Sequence, residues 1–239
     1  MRVVRMCCLV FSLLCVSSLA QADWFVSSEV KDLKVKAEAG DAQAAFRVGV
    51  AYDFGQGAPH DGTEAFKWYR MAADAGFAEA QNSLGSGLQA EKHYDEARVW
   101  FERAAAQHHP QGTNNLAYLY DLGLGVPQDR HKGFELYSQA ADLGWAEAMW
   151  NLANMYGAGQ LGPEDMFMAC VWTFRAERYA RPSERQLMLF LHKAEPQIEL
   201  HLTAEHRQDC YRQAADWHPS GAPAVPATAA SGSASAAAQ

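Results

Sequence analysis

Small and apolar residues recur along the middle of the chain with the spacing of one helix face. In the first such segment they occupy Ala44, Val48, Gly49 and Tyr52, which are positions i, i+4, i+5 and i+8. Three later segments repeat the set as Ala80, Leu84, Gly85 and Leu88, then Gly112, Leu116, Ala117 and Tyr120, then Ala148, Leu152, Ala153 and Tyr156. This spacing predicts amphipathic helices and differs from the alternation of a strand.

A second helical segment follows each stripe. The four segments are "AFKWYRMAADAG" (65–76), "ARVWFERAAAQ" (97–107), "GFELYSQAADLG" (133–144) and "ACVWTFRAERY" (169–179), each with aromatic residues and alanines on one face. The pairs of helices form units at 37–72, 73–104, 105–140 and 141–176. Repetition with this period predicts an array of helical hairpins that bury their apolar faces by stacking.

A glycine-rich stretch joins the two helices of a unit. "YDLGLGVPQDRHKGF" (120–134) resembles a phosphate-binding loop, but "YDFGQGAPHDGTEAF" (52–66) repeats it 68 positions earlier. A phosphate loop follows a strand and carries a Lys-Ser/Thr pair, and neither feature is present here. Gly55 and Gly123 fit a helix end in the left-handed conformation, and Asp61 and Asp129 fit the N-cap of the next helix. The stretch therefore predicts a turn.

These units resemble Sel-1-like repeats, which are relatives of the tetratricopeptide repeat. The resemblance rests on A-x-x-x-L-G-x-x-Y, G-x-G-V-x-x-D and A-x-x-W-Y-x-x-A-A-x-x-G over 37–176, and "LGLGVPQDRHKGFELYSQAADLG" is its most specific piece. It implies an all-α fold, a right-handed superhelix of helix-turn-helix repeats. The chain departs from the pattern at Gly133, where alanine is usual, and in unit 73–104, which lacks the G-x-G turn.

Both ends of the array are expected to be covered. A leading helix is predicted over 26–39, and the N-terminal capping region is assigned to 23–36. The C-terminal capping helices are predicted over 177–217. Ser183 and Gln186 have the spacing of a capping box, and Thr203 is expected to open the last helix. Pro196 is expected to bend or break the segment between them. Residues 218–239, rich in Ala, Ser and Pro, are expected to form a disordered tail.

The first 22 residues have the pattern of a secretory signal peptide. Arg2 and Arg5 precede an apolar core, and Ala20 and Ala22 supply a small-x-small cleavage site. We therefore expect an exported chain that begins at Asp23, in the periplasm or outside the cell, and no membrane insertion of the mature protein. An uncleaved N-terminal anchor is the alternative, whereas Leu14 before Cys15 argues against a lipid anchor.

Charge narrows the class of partner. The formal net charge of −8 becomes −10 when the two arginines of the signal peptide are removed. A chain this acidic should repel nucleic acid and anionic lipid, so we expect no nucleic-acid partner. The 49 % hydrophobic and 20 % charged residues are typical of a soluble folded protein. The oligomeric state is left open.

The chain shows little that points to catalysis. "HLTAEH" (201–206) lacks the spacing of a zinc-binding helix, so solvated histidines are expected there, with a metal site as the alternative. The sequence contains no serine elbow and no recognisable pair of catalytic carboxylates. We therefore expect a protein that is not an enzyme and needs no cofactor.

Only Cys170 and Cys210 remain in the processed chain. They fall on the second helices of two successive hairpins, and exported chains favour disulfides. A bond between them would pin the closing cap. Two buried free thiols are the alternative, because a sequence does not give the separation of the Cα atoms.

The resemblance implies that first-helix positions outside the stacking stripe line an inner groove. Eight residues hold these positions by register: Phe46, Val50, Asn82, Ser86, Asn114, Tyr118, Trp150 and Asn154. They include no charge, three asparagines and three aromatic residues. Asparagine can donate to and accept from a peptide backbone, and tyrosine or tryptophan supplies a rigid contact surface. The alternative is that Phe46 and Trp150 only pack against neighbouring units.

Two functional classes follow. The first is an exported scaffold that binds a peptide or an envelope protein in this groove, as the resemblance implies. The second is a cell-wall or β-lactam-recognising hydrolase, an activity that the resemblance attributes to exported members with a disulfide in each unit. The units of this chain contain no such cysteine pairs, which favours the scaffold.

Overall fold

The computed structural model describes residues 25–220, and within that range all regular structure is α-helical. Eleven helices follow one another there: α1 (Ser28–Glu38), α2 (Ala42–Phe54), α3 (Gly62–Asp74), α4 (Ala78–Ala90), α5 (Tyr94–Ala106), α6 (Pro110–Leu122), α7 (Arg130–Asp142), α8 (Ala146–Gly157), α9 (Met166–Tyr179), α10 (Arg185–Glu199) and α11 (Ala204–Asp216). The predicted all-α class is confirmed. The signal peptide lies outside the described residues, as do residues 221–239 of the predicted tail.

The chain divides into two compact units, with the boundary inside α4 between Leu84 and Gly85. In the described part of the first unit, α1 packs on α2, and α2 pairs with α3 as a hairpin. In the second unit, α6 pairs with α7 and α8 pairs with α9 as further hairpins. Helices α10 and α11 both pack on α9. The leading helix expected over 26–39 corresponds to α1.

The stripe that predicted the first helices is the core of the protein. Val48, Leu84, Leu116 and Leu152 are all buried, with at most 5 % of their surface exposed. In the first two repeats, an aromatic residue of the second helix packs against the glycine that follows the buried Val48 or Leu84. A Cβ atom added to Gly49 would lie 2.6 Å from the Tyr69 ring, and one added to Gly85 would lie 2.6 Å from the Phe101 ring. The small residues therefore let the two helices of a hairpin approach closely.

Gly85 and Gly87 provide a test of this close approach, because both lie in α4 and only Gly85 faces a ring. Gly85→Ala should lower the free energy of unfolding by about 1 kcal/mol, since overpacking against the buried Phe101 outweighs the gain in helix propensity. Gly87 has open space around it, so Gly87→Ala should raise the free energy of unfolding by about 1 kcal/mol. Urea unfolding of the two variants measures the difference. Equal stabilisation by both would show that the ring contact is not tight.

The glycine-rich stretches form turns between the two helices of a hairpin. Gly55 and Gly123 end α2 and α6 in the left-handed conformation, with φ of 66° and 70°. The carboxylates of Asp61 and Asp129 accept hydrogen bonds from the first backbone N–H groups of α3 and α7. A Cβ atom added to Gly125 would lie 2.8 Å from the backbone of Tyr94, so the start of α5 occupies the space beside this turn. The prediction of a turn is confirmed.

Two departures from the repeat pattern have a local explanation. Gly133 lies where the other second helices have alanine, and an added Cβ atom would lie 3.2 Å from the backbone nitrogen of Asp121. Glycine therefore lets α7 lie closer to α6 than alanine would. The turn between α4 and α5 is reduced to residues 91–93, and Lys92 adopts a left-handed φ of 65° there.

Four expectations at the C-terminal end meet different outcomes. Thr203 caps α11 as predicted, since its hydroxyl accepts from the N–H of His206. The capping box at Ser183 is wrong, because Glu184 is the N-cap residue of α10 and its carboxylate binds Arg181. The expected break at Pro196 is also wrong, because α10 continues through it to Glu199. The folded part extends beyond residue 217, since Pro219 is buried.

Candidate protein-binding face

The predicted groove residues differ widely in their exposure to solvent. Asn82 and Asn114 are buried, with 5 % and 2 % of their surface exposed, so they offer no surface to a peptide. Phe46, Val50, Ser86 and Trp150 are half-buried, whereas Tyr118 and Asn154 are exposed. The predicted stripe is therefore corrected: its first row points partly into the fold.

Asn114 is buried because it links two first helices. Its side-chain oxygen accepts a hydrogen bond from the amide of Asn151 at 3.1 Å, which joins α6 to α8. A similar bond joins α6 to the preceding first helix: the side-chain amide of Asn115 donates to the hydroxyl of Ser86 on α4 at 3.5 Å. These polar bonds run between successive first helices, and they replace the peptide contacts that the sequence assigned to Asn114.

Phe46 has a packing role within the first unit. Its ring lies 5.5 Å from the ring of Tyr69 and 5.2 Å from the ring of Phe77, measured between centroids. The alternative of internal packing is therefore the one that the structure shows for Phe46. Its neighbour Val50, one turn later on α2, is half-buried.

The solvent-facing side of the first helices overlaps the predicted stripe only in part, since it shares Ser86, Tyr118 and Asn154 with it. On α6 it carries Asn115, Tyr118 and Leu122, and on α8 it carries Asn151 and Asn154. We call these five residues, together with Ser86 of α4, the first-helix face. Leu122 is 47 % exposed and Tyr118 is 39 % exposed, and they lie one turn apart on the same side of α6.

Two acidic residues, Asp121 and Glu147, adjoin this face in sequence. Asp121 is adjacent to Leu122 in α6 and is largely buried, with 14 % of its side chain exposed. Burial raises the pKa of the Asp121 carboxyl, and the Arg130 guanidinium, 3.8 Å away, opposes that rise. Glu147 is exposed one turn before Asn151 on α8. The middle of the face presents hydroxyl, amide and apolar groups.

The histidines of "HLTAEH" do not form a site. His201 precedes α11 and its ring contacts the carbonyl oxygen of Gln197, whereas the ring of His206 lies against Phe167. Across residues 25–220, no three side chains of the types His, Cys, Asp or Glu are grouped as metal ligands. No helix in the same range is long and apolar enough to cross a membrane.

Cys170 and Cys210 are joined by a disulfide that connects α9 to α11. Their Cα atoms lie 6.1 Å apart, within the usual range for such a bond. Both cysteines are fully buried beside Val171, and Phe167, Phe174, Ile198 and Leu202 surround them.

A family model described as Sel1 repeat matches residues 42–77, 78–109, 110–145 and 146–176. Each match begins at the first residue of α2, α4, α6 or α8, which is five residues later than the units drawn from the sequence. Together the four matches cover more than half of the chain. The chain belongs to the Sel1 repeat family.

Solved Sel1 repeat structures resemble this chain over most of its length. The Sel1 repeat protein from Oxalobacter formigenes matches with a TM-score of 0.67 and 28 % identity over 79 % of this chain and 77 % of that one. The antigen c5321 of uropathogenic Escherichia coli, described as protective and as displaying an SLR fold, matches with a TM-score of 0.70 and 25 % identity. That match covers 77 % of this chain and 39 % of the antigen.

Among curated relatives, an uncharacterized protein of Neisseria meningitidis serogroup B is 32 % identical over 128 residues. The match covers 54 % of this chain and 26 % of that protein, so this chain spans about a quarter of the relative's length. Sel1 repeat proteins are in general non-enzymatic scaffolds for protein–protein interaction.

Proposed function

We propose that this protein is an exported scaffold that binds an extended segment of another protein on the first-helix face. The observation that carries the proposal is the exposure of Tyr118 and Leu122, one turn apart on a helix whose other side is buried core. Large apolar side chains held on a rigid element suit the central anchor of an interface, because little conformational entropy is lost on binding.

The surroundings of this pair suit a polypeptide backbone. Asn154 is exposed on α8, whereas Asn115 of α6 and Ser86 of α4 are half-exposed. An amide side chain offers a donor and an acceptor together, which matches the N–H and C=O groups of an extended chain. We infer that an apolar side chain of the partner packs on Tyr118 and Leu122 while its backbone binds the flanking amides.

The charges argue for a neutral or basic segment. Glu147 and Asp121 are the carboxylates closest in sequence to the amide rows, and the processed chain is strongly acidic. An acidic peptide would be repelled by these groups.

The signal-peptide pattern supports an envelope protein as the partner. Export is itself part of the proposal, and N-terminal sequencing of the mature protein is its test. A chain that starts at Asp23 would support export, and a chain that keeps Met1 would contradict it.

Replacing both anchors should abolish binding without unfolding the protein. The variant carries Tyr118→Ala and Leu122→Ala, both at exposed positions, so the melting temperature should change little. Wild type and variant are used to capture proteins from the envelope fraction, and the captured protein is purified and titrated against both. We expect the variant to bind at least about tenfold more weakly, as is usual when hot-spot residues are truncated.

Val99→Ala is the matched control. Val99 is 37 % exposed, close to the value for Tyr118, but lies on the second helix α5. This variant should bind as wild type does. Equal affinities of wild type and the double variant would place the binding site elsewhere on the protein.

A further inference from the structure

The last helix, α11, buries few side chains against the rest of the fold. Only Cys210 and Ala214 are buried among the thirteen residues of α11. Its other side chains are mostly charged or polar, and an isolated helix of this length is marginal in water. Burial of one alanine adds little apolar area. Apart from the contacts of Cys210 and its neighbours, α11 is attached by arginine hydrogen bonds, in which Arg175 and Arg178 of α9 donate to its C-terminal carbonyl groups and its own Arg207 donates to the carbonyl oxygen of Glu199.

The disulfide is the strongest of these contacts. It ties Cys210 to Cys170 on α9, at the position where the preceding second helix has Phe134. Around it, Phe174 meets Tyr211 with ring centroids 4.6 Å apart, and Phe167 meets His206. Tyr211 and His206 are both exposed, so these ring contacts lie at the rim and do not seal the helix.

A second attachment lies just beyond the helix. The guanidinium of Arg175 lies 4.5 Å and 4.8 Å from the ring centroids of Trp172 and Trp217, and these two rings also contact each other, with centroids 5.7 Å apart. Arg178 also donates to the carbonyl oxygen of Ala215 at 2.6 Å. We call Trp172, Arg175 and Trp217 the tryptophan clasp. The clasp and the bonds from Arg175 to Gln213 and from Arg178 to Ala215 hold the C-terminal end of α11, and the disulfide holds its middle at Cys210.

We propose that the Cys170–Cys210 disulfide is a redox-dependent lock on the closing cap, so that α11 is docked in the oxidised protein and detached in the thiol form. Closing the lock removes two electrons and two protons from the thiols and gives them to a disulfide oxidant such as oxidised glutathione, which becomes two thiols. A dithiol reductant reverses the step when local opening of α11 exposes the sulfurs, which are buried in the docked state.

Detachment would change one surface and leave the rest of the array folded. Val171 and Phe174 on α9 would lose their cover when α11 leaves, whereas the residues packed around the disulfide include none from α5 or α6. The lock does not rest on the proposed protein-binding face, which lies on α6 and α8. Failure of either idea leaves the other standing.

Limited trypsin digestion tests the lock. Cleavage after Arg207 and Arg212 measures the opening of α11. Cleavage after Arg98 and Arg103 of α5 measures the opening of the rest of the second unit. Oxidised protein is compared with protein reduced in urea and refolded in dithiothreitol, and the peptides are identified by mass spectrometry. Reduction should speed cleavage at Arg207 and Arg212 by at least about tenfold and change cleavage in α5 less than about twofold, as expected for local opening.

Two variants separate the disulfide from the clasp. Cys170→Ala with Cys210→Ala should digest like reduced wild type and should not respond to dithiothreitol. Trp217→Ala, kept oxidised, should retain its protection at Arg207. An unchanged rate of cleavage in α11 after reduction would overturn the lock. An equal rise in the rate of cleavage at Arg98 and Arg103 would also overturn it, because the bond would then stabilise the whole unit.

Discussion

Replacing Leu116 by alanine should lower the free energy of unfolding by about 2–5 kcal/mol. Leu116 is 5 % exposed and belongs to the stripe that faces the core in every first helix. Truncation removes buried apolar contacts and leaves a cavity, because the surrounding helices can relax only in part. Urea or thermal unfolding followed by circular dichroism measures the loss.

Leu122→Ala is the control for this experiment, since the same substitution is made in the same helix. Leu122 is 47 % exposed, so its truncation should change the free energy of unfolding by no more than about 0.5 kcal/mol. If Leu116→Ala were as mild as Leu122→Ala, the register of α6 would be wrong. The contrast also shows whether Leu122 can be changed for binding studies without loss of fold.

Loss of the disulfide should have an effect of similar size. The bond spans 40 residues of sequence, and closing a loop of that length is worth on the order of 4 kcal/mol on the chain-entropy model. The variant with Cys170→Ala and Cys210→Ala should therefore unfold at a lower urea concentration. Because α11 would already be detached in that variant, the slope m of the transition should also fall.

An unchanged midpoint in the alanine variant would mean that the bond adds nothing to stability. A lower midpoint with an unchanged slope would mean that α11 stays docked without the bond and unfolds with the rest. Reduced wild type offers the same comparison without any substitution.

The repeat period made most of the fold predictable. Each hairpin must bury a stripe that it cannot bury alone, so the same residue types recur at Val48, Leu84, Leu116 and Leu152. The turns were equally predictable, since glycine favours the left-handed conformation at the end of a helix and aspartate favours the N-cap position. These features depend on neighbours in sequence or on one repeated contact, which a periodic pattern reveals.

The composition of the first-helix face was harder to predict because it depends on which polar residues bond to each other. Asn114 has the polarity of a surface residue, yet its bond to Asn151 of the next first helix takes it into the interior. Nothing in either residue's local sequence indicates that pairing. Leu122 was missed for the opposite reason: it adjoins the glycine turn, and its exposure follows from the end of α6 at that residue.

The C-terminal errors have similar causes. Glu184, one residue after Ser183, is the N-cap residue of α10, and its carboxylate binds the backbone N–H and the guanidinium of Arg181 and none of the first N–H groups of the helix. Pro196 removes one backbone N–H donor from α10, and the helix continues past it for only three residues, to Glu199.

Site-specific crosslinking in the native envelope tests the proposed interface most directly. A photoreactive phenylalanine analogue replaces Tyr118 in one strain and Val99 in another, two positions with similar exposure on different helix rows. We predict that light produces a discrete crosslinked protein from position 118 and none from position 99. Crosslinks from position 99 alone, or no crosslink from position 118 in cells that export the protein, would contradict the first-helix face as the site of protein binding.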